Sequence, residues 1–135
     1  MGYGIGTLVA AGVSLFARVV GLDRERSFFT AVLIVVGHYY VLFAAMAGSM
    51  RALAIESAGL ALFTLCAAIG FRRSYMLVGV GLIAHGVFDL FHGGLIDNPG
   101  VPVWWPPFCL SFDVVAGAWV VWMASRQQLG RADRP

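Results

Sequence analysis

The sequence has little charge, no lysine and few cysteines. Charged residues make up 12% of the 135 residues, all nine basic residues are arginine, and the formal net charge is +2. This weak positive balance lacks the basic clusters of nucleic-acid-binding proteins, so we expect no nucleic acid partner. The two cysteines, Cys66 and Cys109, belong to different apolar segments and different predicted depths, which argues against a disulfide.

Apolar residues are abundant instead. They account for 60% of the chain, and the mean hydropathy of +0.84 is typical of integral membrane proteins. Five apolar stretches, at about 4–20, 28–48, 52–70, 75–95 and 104–124, each approach the ~20 helical residues that cross a bilayer. The first stretch lacks the basic start of a signal peptide and is interpreted as a retained span. The sequence predicts an all-α, polytopic membrane helix bundle with five transmembrane helices, forming a single domain over 1–135. Short loops make each helix the expected antiparallel neighbour of the next.

The arginines predict the orientation in the membrane. Arg51 is the only arginine expected on one side, and the other eight fall in the first loop, the third loop and the tail. By the positive-inside rule, the N-terminus lies outside and a polar tail over 125–135 is cytoplasmic. Trp104 and Trp105 then lie at the outer interface, where aromatic rings concentrate. We expect the protein to reside in a bacterial plasma membrane.

Six ionisable residues fall inside the predicted spans, where such groups are costly and therefore candidates for function. At ~1.5 Å of rise per residue, all six lie in the outer half or at the midplane. Glu56 and His92 are expected ~5–6 Å deep, Asp89 ~9 Å deep, and His38, His85 and Asp113 ~13–15 Å deep.

The fourth span carries three of these six residues. His85, Asp89 and His92 are spaced i, i+4 and i+7, which puts them on one face of that helix. Gly79, Gly86 and Gly93 form a ridge on the same helix, which favours close approach of a neighbour beside that face.

This polar layer predicts a divalent metal site. Imidazole and carboxylate groups on facing helices are the ligands from which helix bundles build such sites, and they suit Zn, Mn or Fe. The predicted ligands are His85, Asp89, His92 and Asp113, while Asp89 and Glu56 are the candidate catalytic groups. Cys109 lies four residues before Asp113 and could add a thiolate, although a buried cysteine is more often a small hydrophobe. The expected reaction is hydrolysis or isomerisation of a lipid or another hydrophobic small molecule.

Two alternatives remain open, while a third, an ion or proton path, is disfavoured because the cytoplasmic half of every predicted span is apolar. His38 and His85, at nearly equal depth on parallel helices, could bind haem or another pigment as cofactor. The polar layer could instead serve only to join helices, either in a homo-oligomer or in an accessory subunit of a larger membrane complex. The separated His/Asp pattern loosely resembles multi-pass membrane hydrolases of the alkaline ceramidase and adiponectin receptor type. The chain departs from that type in having fewer spans and no HxxxH in its last helix, so no residue role is transferred.

Overall fold

The chain folds into five long helices joined by short connections. The computed structural model describes the backbone of residues 1–132 and the side chains of residues 1–127. The helices are α1 (Gly2–Val20), α2 (Arg26–Met46), α3 (Met50–Arg73), α4 (Tyr75–Leu95) and α5 (Trp105–Ala132). All five are long and apolar enough to cross a membrane, and residues 1–132 contain no strand. The predicted all-α helix bundle of an integral membrane protein is confirmed.

Local sequence signals explain where the helices end. Gly21 follows α1 with a φ of 88°, a left-handed conformation that glycine adopts without steric cost, and its N–H donates to the Ala17 carbonyl at 2.9 Å. Gly48, with a φ of 68°, turns the chain between α2 and α3. The Ser49 hydroxyl then caps α3 by accepting a hydrogen bond from the Ala52 N–H at 3.3 Å. These turns keep the connections short and the consecutive helices antiparallel.

The order of packing differs from the order along the chain. α1 packs along α5, α5 along α4, α4 along α3, and α3 along α2, while α2 also touches α4. The expectation that each helix is a neighbour of the next is therefore wrong for one pair, α1 and α2, and holds for the others. Gly6 supplies a physical reason, because a side chain there would overlap the Phe108 carbonyl, and its absence lets α1 lie directly on α5.

Glycines bring α4 and α5 unusually close. A Cβ added at Gly117 would lie 2.7 Å from the Gly79 carbonyl oxygen, and one added at Gly86 would lie 3.1 Å from the Asp113 Cβ. The predicted glycine ridge is confirmed at Gly79 and Gly86. It is wrong at Gly93, where an added Cβ would meet nothing within 4 Å in the described chain. The close neighbour of the histidine face is thus α5.

The last helix is longer than the sequence indicated. The fifth span was expected to end near residue 124, but α5 continues to Ala132. The predicted polar tail over 125–135 therefore begins inside a helix, and its last part, residues 133–135, lies outside the described residues. The Arg126 guanidinium carbon lies 5.6 Å from the centre of the Trp122 ring, a cation–π geometry near the predicted cytoplasmic boundary.

Candidate metal centre

The polar face of α4 points into the bundle. His85, Asp89 and His92 are all at most 3% exposed, as the i, i+4, i+7 spacing predicted. Glu56 on α3 and Asp113 on α5 are buried against the same face, at 3% and 0% exposure. Three helices thus contribute ionisable side chains to the interior of the bundle. These side chains separate into two groups at different heights.

The deeper group, which we name the metal group, consists of His85, Asp89, Cys109 and Asp113. One potential ligand atom from each residue lies within 4.8 Å of every other, and all four residues are buried. His85 Nδ1 lies 2.7 Å from Asp113 Oδ2 and 3.8 Å from Asp89 Oδ2. The Cys109 thiol donates to Asp113 Oδ2 at 3.5 Å. The residues therefore form one contiguous cluster in which the Asp113 carboxylate is central.

Each carboxylate of the metal group has one oxygen without a partner. Asp89 Oδ2 and Asp113 Oδ1 are fully buried and have no hydrogen-bond partner among the described residues. Burying a carboxylate oxygen without a partner is costly, more so for an ionised group. Two such oxygens beside one imidazole leave an excess of negative charge and of acceptor sites. A proton or a cation is the chemical complement of that arrangement.

Aromatic rings enclose the metal group. The Phe63 ring meets the His85 ring edge-on, with the two ring centres 4.8 Å apart. Phe88 and Tyr40 lie near the same imidazole, at centre distances of 6.3 and 6.1 Å. Because these rings exclude water, electrostatic interactions inside the group are stronger than at a protein surface.

The shallow group consists of Glu56, His92 and Asn98. Glu56 Oε1 lies 2.7 Å from His92 Nε2 and accepts a second hydrogen bond from Asn98 Nδ2 at 2.9 Å. Asn98 belongs to the loop between α4 and α5, and its amide also donates to the Tyr40 carbonyl at 3.0 Å. The loop is thereby fixed over the end of the bundle at which α4 ends and α5 begins.

Tyr40 joins the two groups. Its hydroxyl donates to Asp89 Oδ1 at 2.5 Å, and its ring stacks on the His92 ring with centres 4.0 Å apart. Since Asn98 binds the Tyr40 carbonyl, α2 is tied to both groups through this one residue. The hydrogen bonds and ring contacts thus make a continuous polar network from Glu56 to Asp113.

The structure brings some of the predicted site residues together and places others apart. His85, Asp89 and Asp113 come together as expected, but His92, also predicted as a metal ligand, lies in the shallow group with Glu56. The reason is depth: His92 is almost two helical turns above His85, where the shallow carboxylate of α3 is the nearer partner. Cys109 takes the fourth position in the metal group.

His38 stands apart from both groups. It is exposed on α2, and its Nδ1 lies 3.0 Å from the Ile34 carbonyl oxygen of its own helix. The predicted haem pair of His38 and His85 would need two imidazoles facing each other. His38 is on the outside of the bundle and His85 is buried inside it, so the two imidazoles do not face each other.

Sequence reasoning missed the roles of Tyr40 and Asn98. The sequence does contain a periodic pattern that includes Tyr40. The buried stripe of α2 consists of residues at helical spacing, among them Leu33, Val36, Tyr40 and Ala44. This pattern could not be recognised from hydrophobicity, because α2 is apolar on every side. No local pattern marked Asn98 as a site residue, because the two acceptors of its side-chain N–H groups are 42 and 58 residues away.

Comparisons with known proteins add no assignment to this geometry. No protein-family model, curated protein or solved structure matches the chain. The functional argument consequently rests on the residues of the site.

Proposed function

We propose that the protein is a membrane-embedded metal-binding protein whose metal group holds one divalent ion. The observation that carries the proposal is the convergence of four buried ligand residues, His85, Asp89, Cys109 and Asp113, with their ligand atoms within 4.8 Å of one another. Isolated carboxylates are rare inside a bilayer, and those that occur usually bind a substrate or an ion or transfer a proton. Here two of them share one imidazole.

Charge and geometry both favour a divalent ion. The two aspartates supply the two negative charges that balance a divalent ion in the low dielectric of the bundle, and a Cys109 thiolate would add a third. Ligands at ~2.0–2.3 Å from a tetrahedral ion lie roughly 3.3–3.7 Å apart. The distances of 2.7 and 3.8 Å from His85 Nδ1 to the two carboxylates bracket that range. These two separations are therefore close to those expected around a bound ion.

The ligand set narrows the choice of metal. Histidine, carboxylate and cysteine together are a common environment for zinc, and iron accepts the same atoms. Manganese, which prefers oxygen ligands, fits less well once Cys109 takes the place that His92 was expected to fill. We therefore propose zinc first and iron second.

A catalytic role extends the same proposal. A divalent ion held by residues of the metal group would supply Lewis-acid polarisation of a substrate carbonyl. In this role Asp89, held by the Tyr40 hydroxyl, would act as the proton acceptor through Oδ2 and not as a ligand, so that His85, Cys109 and Asp113 would hold the ion and leave a position open for the substrate. Glu56, bound to His92 and Asn98, instead positions the loop above the site. The reaction class is hydrolysis of a hydrophobic acyl compound, in which water adds across the acyl bond to give an acid and an alcohol or amine.

Metal analysis of the purified protein tests the proposal. Wild-type protein, extracted in detergent and passed through a desalting column, is expected to retain about one zinc or iron atom per chain. Asp113→Asn and His85→Ala should reduce this content at least about tenfold, because each removes a ligand. His38→Ala is the matched control and should retain the metal, since His38 is exposed and outside the group.

Folding is monitored in the same samples by helical circular dichroism and size-exclusion chromatography. Metal-stripped wild type should regain the ion on addition of zinc, with a rise in unfolding midpoint that grows with zinc concentration. A folded wild type that neither contains nor takes up zinc or iron would contradict the proposal. In that case the network would serve to join helices.

A further inference from the structure

An apolar crevice on the side of the bundle reaches the metal group. Its volume is about 460 Å³, within the range of small-molecule sites, and its walls come from α1, α2 and α5. Side chains such as Val13, Val32 and Phe112 form the walls, and Cys109 lies among the lining residues. Because the Cys109 thiol donates to Asp113, the crevice and the metal group share a boundary.

The packing order explains why the crevice exists. α1 lies on α5 while α2 lies on α3, so a seam remains between α2 and the pair formed by α1 and α5. Two ring contacts across this seam close its outer end. The Trp105 ring centre lies 4.6 Å from that of Tyr39 and 5.1 Å from that of Phe43. Below these rings the seam is open toward the side of the bundle.

The mouth of the crevice faces hydrocarbon. All three wall helices are membrane-spanning, and apolar side chains at the rim, Val9 and Val35, are 40% and 51% exposed. A molecule that enters from this side comes from the bilayer. The lining along α2 extends from Phe28 to Tyr39, roughly 16 Å at 1.5 Å per residue, which suits an elongated chain.

One polar group in the wall has no partner. Trp105 is 9% exposed and lines the crevice, and its indole Nε1 is buried without an acceptor among the described residues. A buried N–H donor without a partner is costly, so an acceptor on a bound molecule would relieve it. Trp105, Cys109 and Asp113 are spaced i, i+4 and i+8, so an acceptor at Trp105 lies on the α5 face that leads to the metal group.

We propose that the crevice binds a single acyl chain whose ester or amide carbonyl accepts a hydrogen bond from Trp105 Nε1. The chain occupies the apolar seam, and the carbonyl lies at its inner side beside Cys109. This ligand class deepens the proposed function, since it places an acyl bond next to the metal group. Binding itself needs only the crevice and Trp105.

Photoaffinity labelling tests the proposal with two probes of equal chain length. One is a fatty acid methyl ester bearing a diazirine in its chain, and the other is the matching diazirine alkane without a carbonyl. In wild-type protein, both are expected to label the segments of α1, α2 and α5 that line the crevice. The ester should label about three- to tenfold more strongly than the alkane, the range that corresponds to one hydrogen bond.

Three variants test whether the probes bind in the crevice rather than elsewhere on the protein. Ala31→Trp fills the crevice and should reduce labelling by both probes at least about tenfold. Ala61→Trp adds the same ring at an exposed position of α3 that does not line the crevice, and should leave labelling unchanged. Trp105→Phe keeps an aromatic ring but removes the N–H, and should bring the ester down to the level of the alkane.

Metal content is measured on the same samples so that the two proposals can fail separately. Ala31→Trp should keep the metal, and Asp113→Asn should lose it while the crevice is still labelled. Labelling spread evenly over lipid-facing helices, or unaffected by Ala31→Trp, would overturn the crevice proposal whatever the metal content. An equal preference for ester and alkane in the wild type would overturn the role of Trp105.

Discussion

Replacing Tyr40 with phenylalanine tests whether the buried network contributes to stability. The substitution removes only the hydroxyl that donates to Asp89 Oδ1 at 2.5 Å and keeps the ring that stacks on His92. Because Asp89 Oδ2 already has no partner in the described chain, the variant leaves that carboxylate without a tyrosine donor in a water-excluded site. The adjacent Tyr39→Phe is the matched control, since its hydroxyl is on an exposed residue of the same helix.

The size of the effect follows from two opposing considerations. A hydrogen bond to a charged group contributes about 1.5–3 kcal/mol, and losing one partner of a buried pair leaves the other uncompensated. Hydrogen bonds between membrane helices average only about 0.6 kcal/mol and reach about 1.7 kcal/mol. Since Asp89 is 3% exposed and shares its site with Asp113, we expect a value near the upper limit. Tyr40→Phe should lower the free energy of unfolding by about 1.5 kcal/mol, and Tyr39→Phe by less than about 0.5 kcal/mol.

Reversible unfolding in mixed detergent micelles, followed by helical circular dichroism, measures both variants under identical conditions. A double-mutant cycle with Asp89→Asn isolates the coupling between Tyr40 and the carboxylate. If Tyr40→Phe and Tyr39→Phe were equally stable, the Tyr40–Asp89 bond would not stabilise the fold. The assignment of Tyr40 as the link between α2 and the metal group would then be refuted.

Two further predictions concern helix packing and orientation. Gly117→Ala should destabilise the protein by about 1–3 kcal/mol in the same unfolding assay, because the new Cβ would lie 2.7 Å from the Gly79 carbonyl oxygen. Gly59→Ala, where an added Cβ meets nothing within 4 Å in the described chain, should be neutral or stabilising, and equal losses would argue against the close α4–α5 contact. For orientation, a membrane-impermeant maleimide added outside intact cells should label Asp97→Cys and not Arg72→Cys, and the reverse pattern would invert the predicted topology.

Helix number and the buried face of α4 were predictable because both depend on short-range patterns. Apolar length sets the number of spans, and the i, i+4, i+7 spacing orients His85, Asp89 and His92 whatever the helix packs against. Depth was also informative. Residues at equal predicted depth on different helices, Glu56 with His92 and His85 with Asp113, are the pairs that bond.

Depth alone could not say which helices are neighbours. His38 has the same predicted depth as His85, yet it lies on the exposed side of α2, while Tyr40 two residues later points inward. In a helix that is apolar all round, hydrophobicity does not distinguish the lipid-facing side from the buried side. The rotation of α2 about its own axis could therefore not be predicted. For the same reason, the sequence did not show whether His38 or Tyr40 points into the bundle.

By itself, the sequence determined an integral membrane bundle of five helices with an ionisable layer, because bilayer thickness and the cost of buried charge act on each span separately. Only the tertiary structure decided the membership of the metal group, where Cys109 replaces His92, and the packing of α1 against α5 rather than α2. Those outcomes depend on contacts between segments far apart in the chain, made possible at Gly6 and between Gly79 and Gly117 by the absence of side chains. The same packing order leaves the seam between α2 and α5, which is lined in part by Cys109 of the metal group.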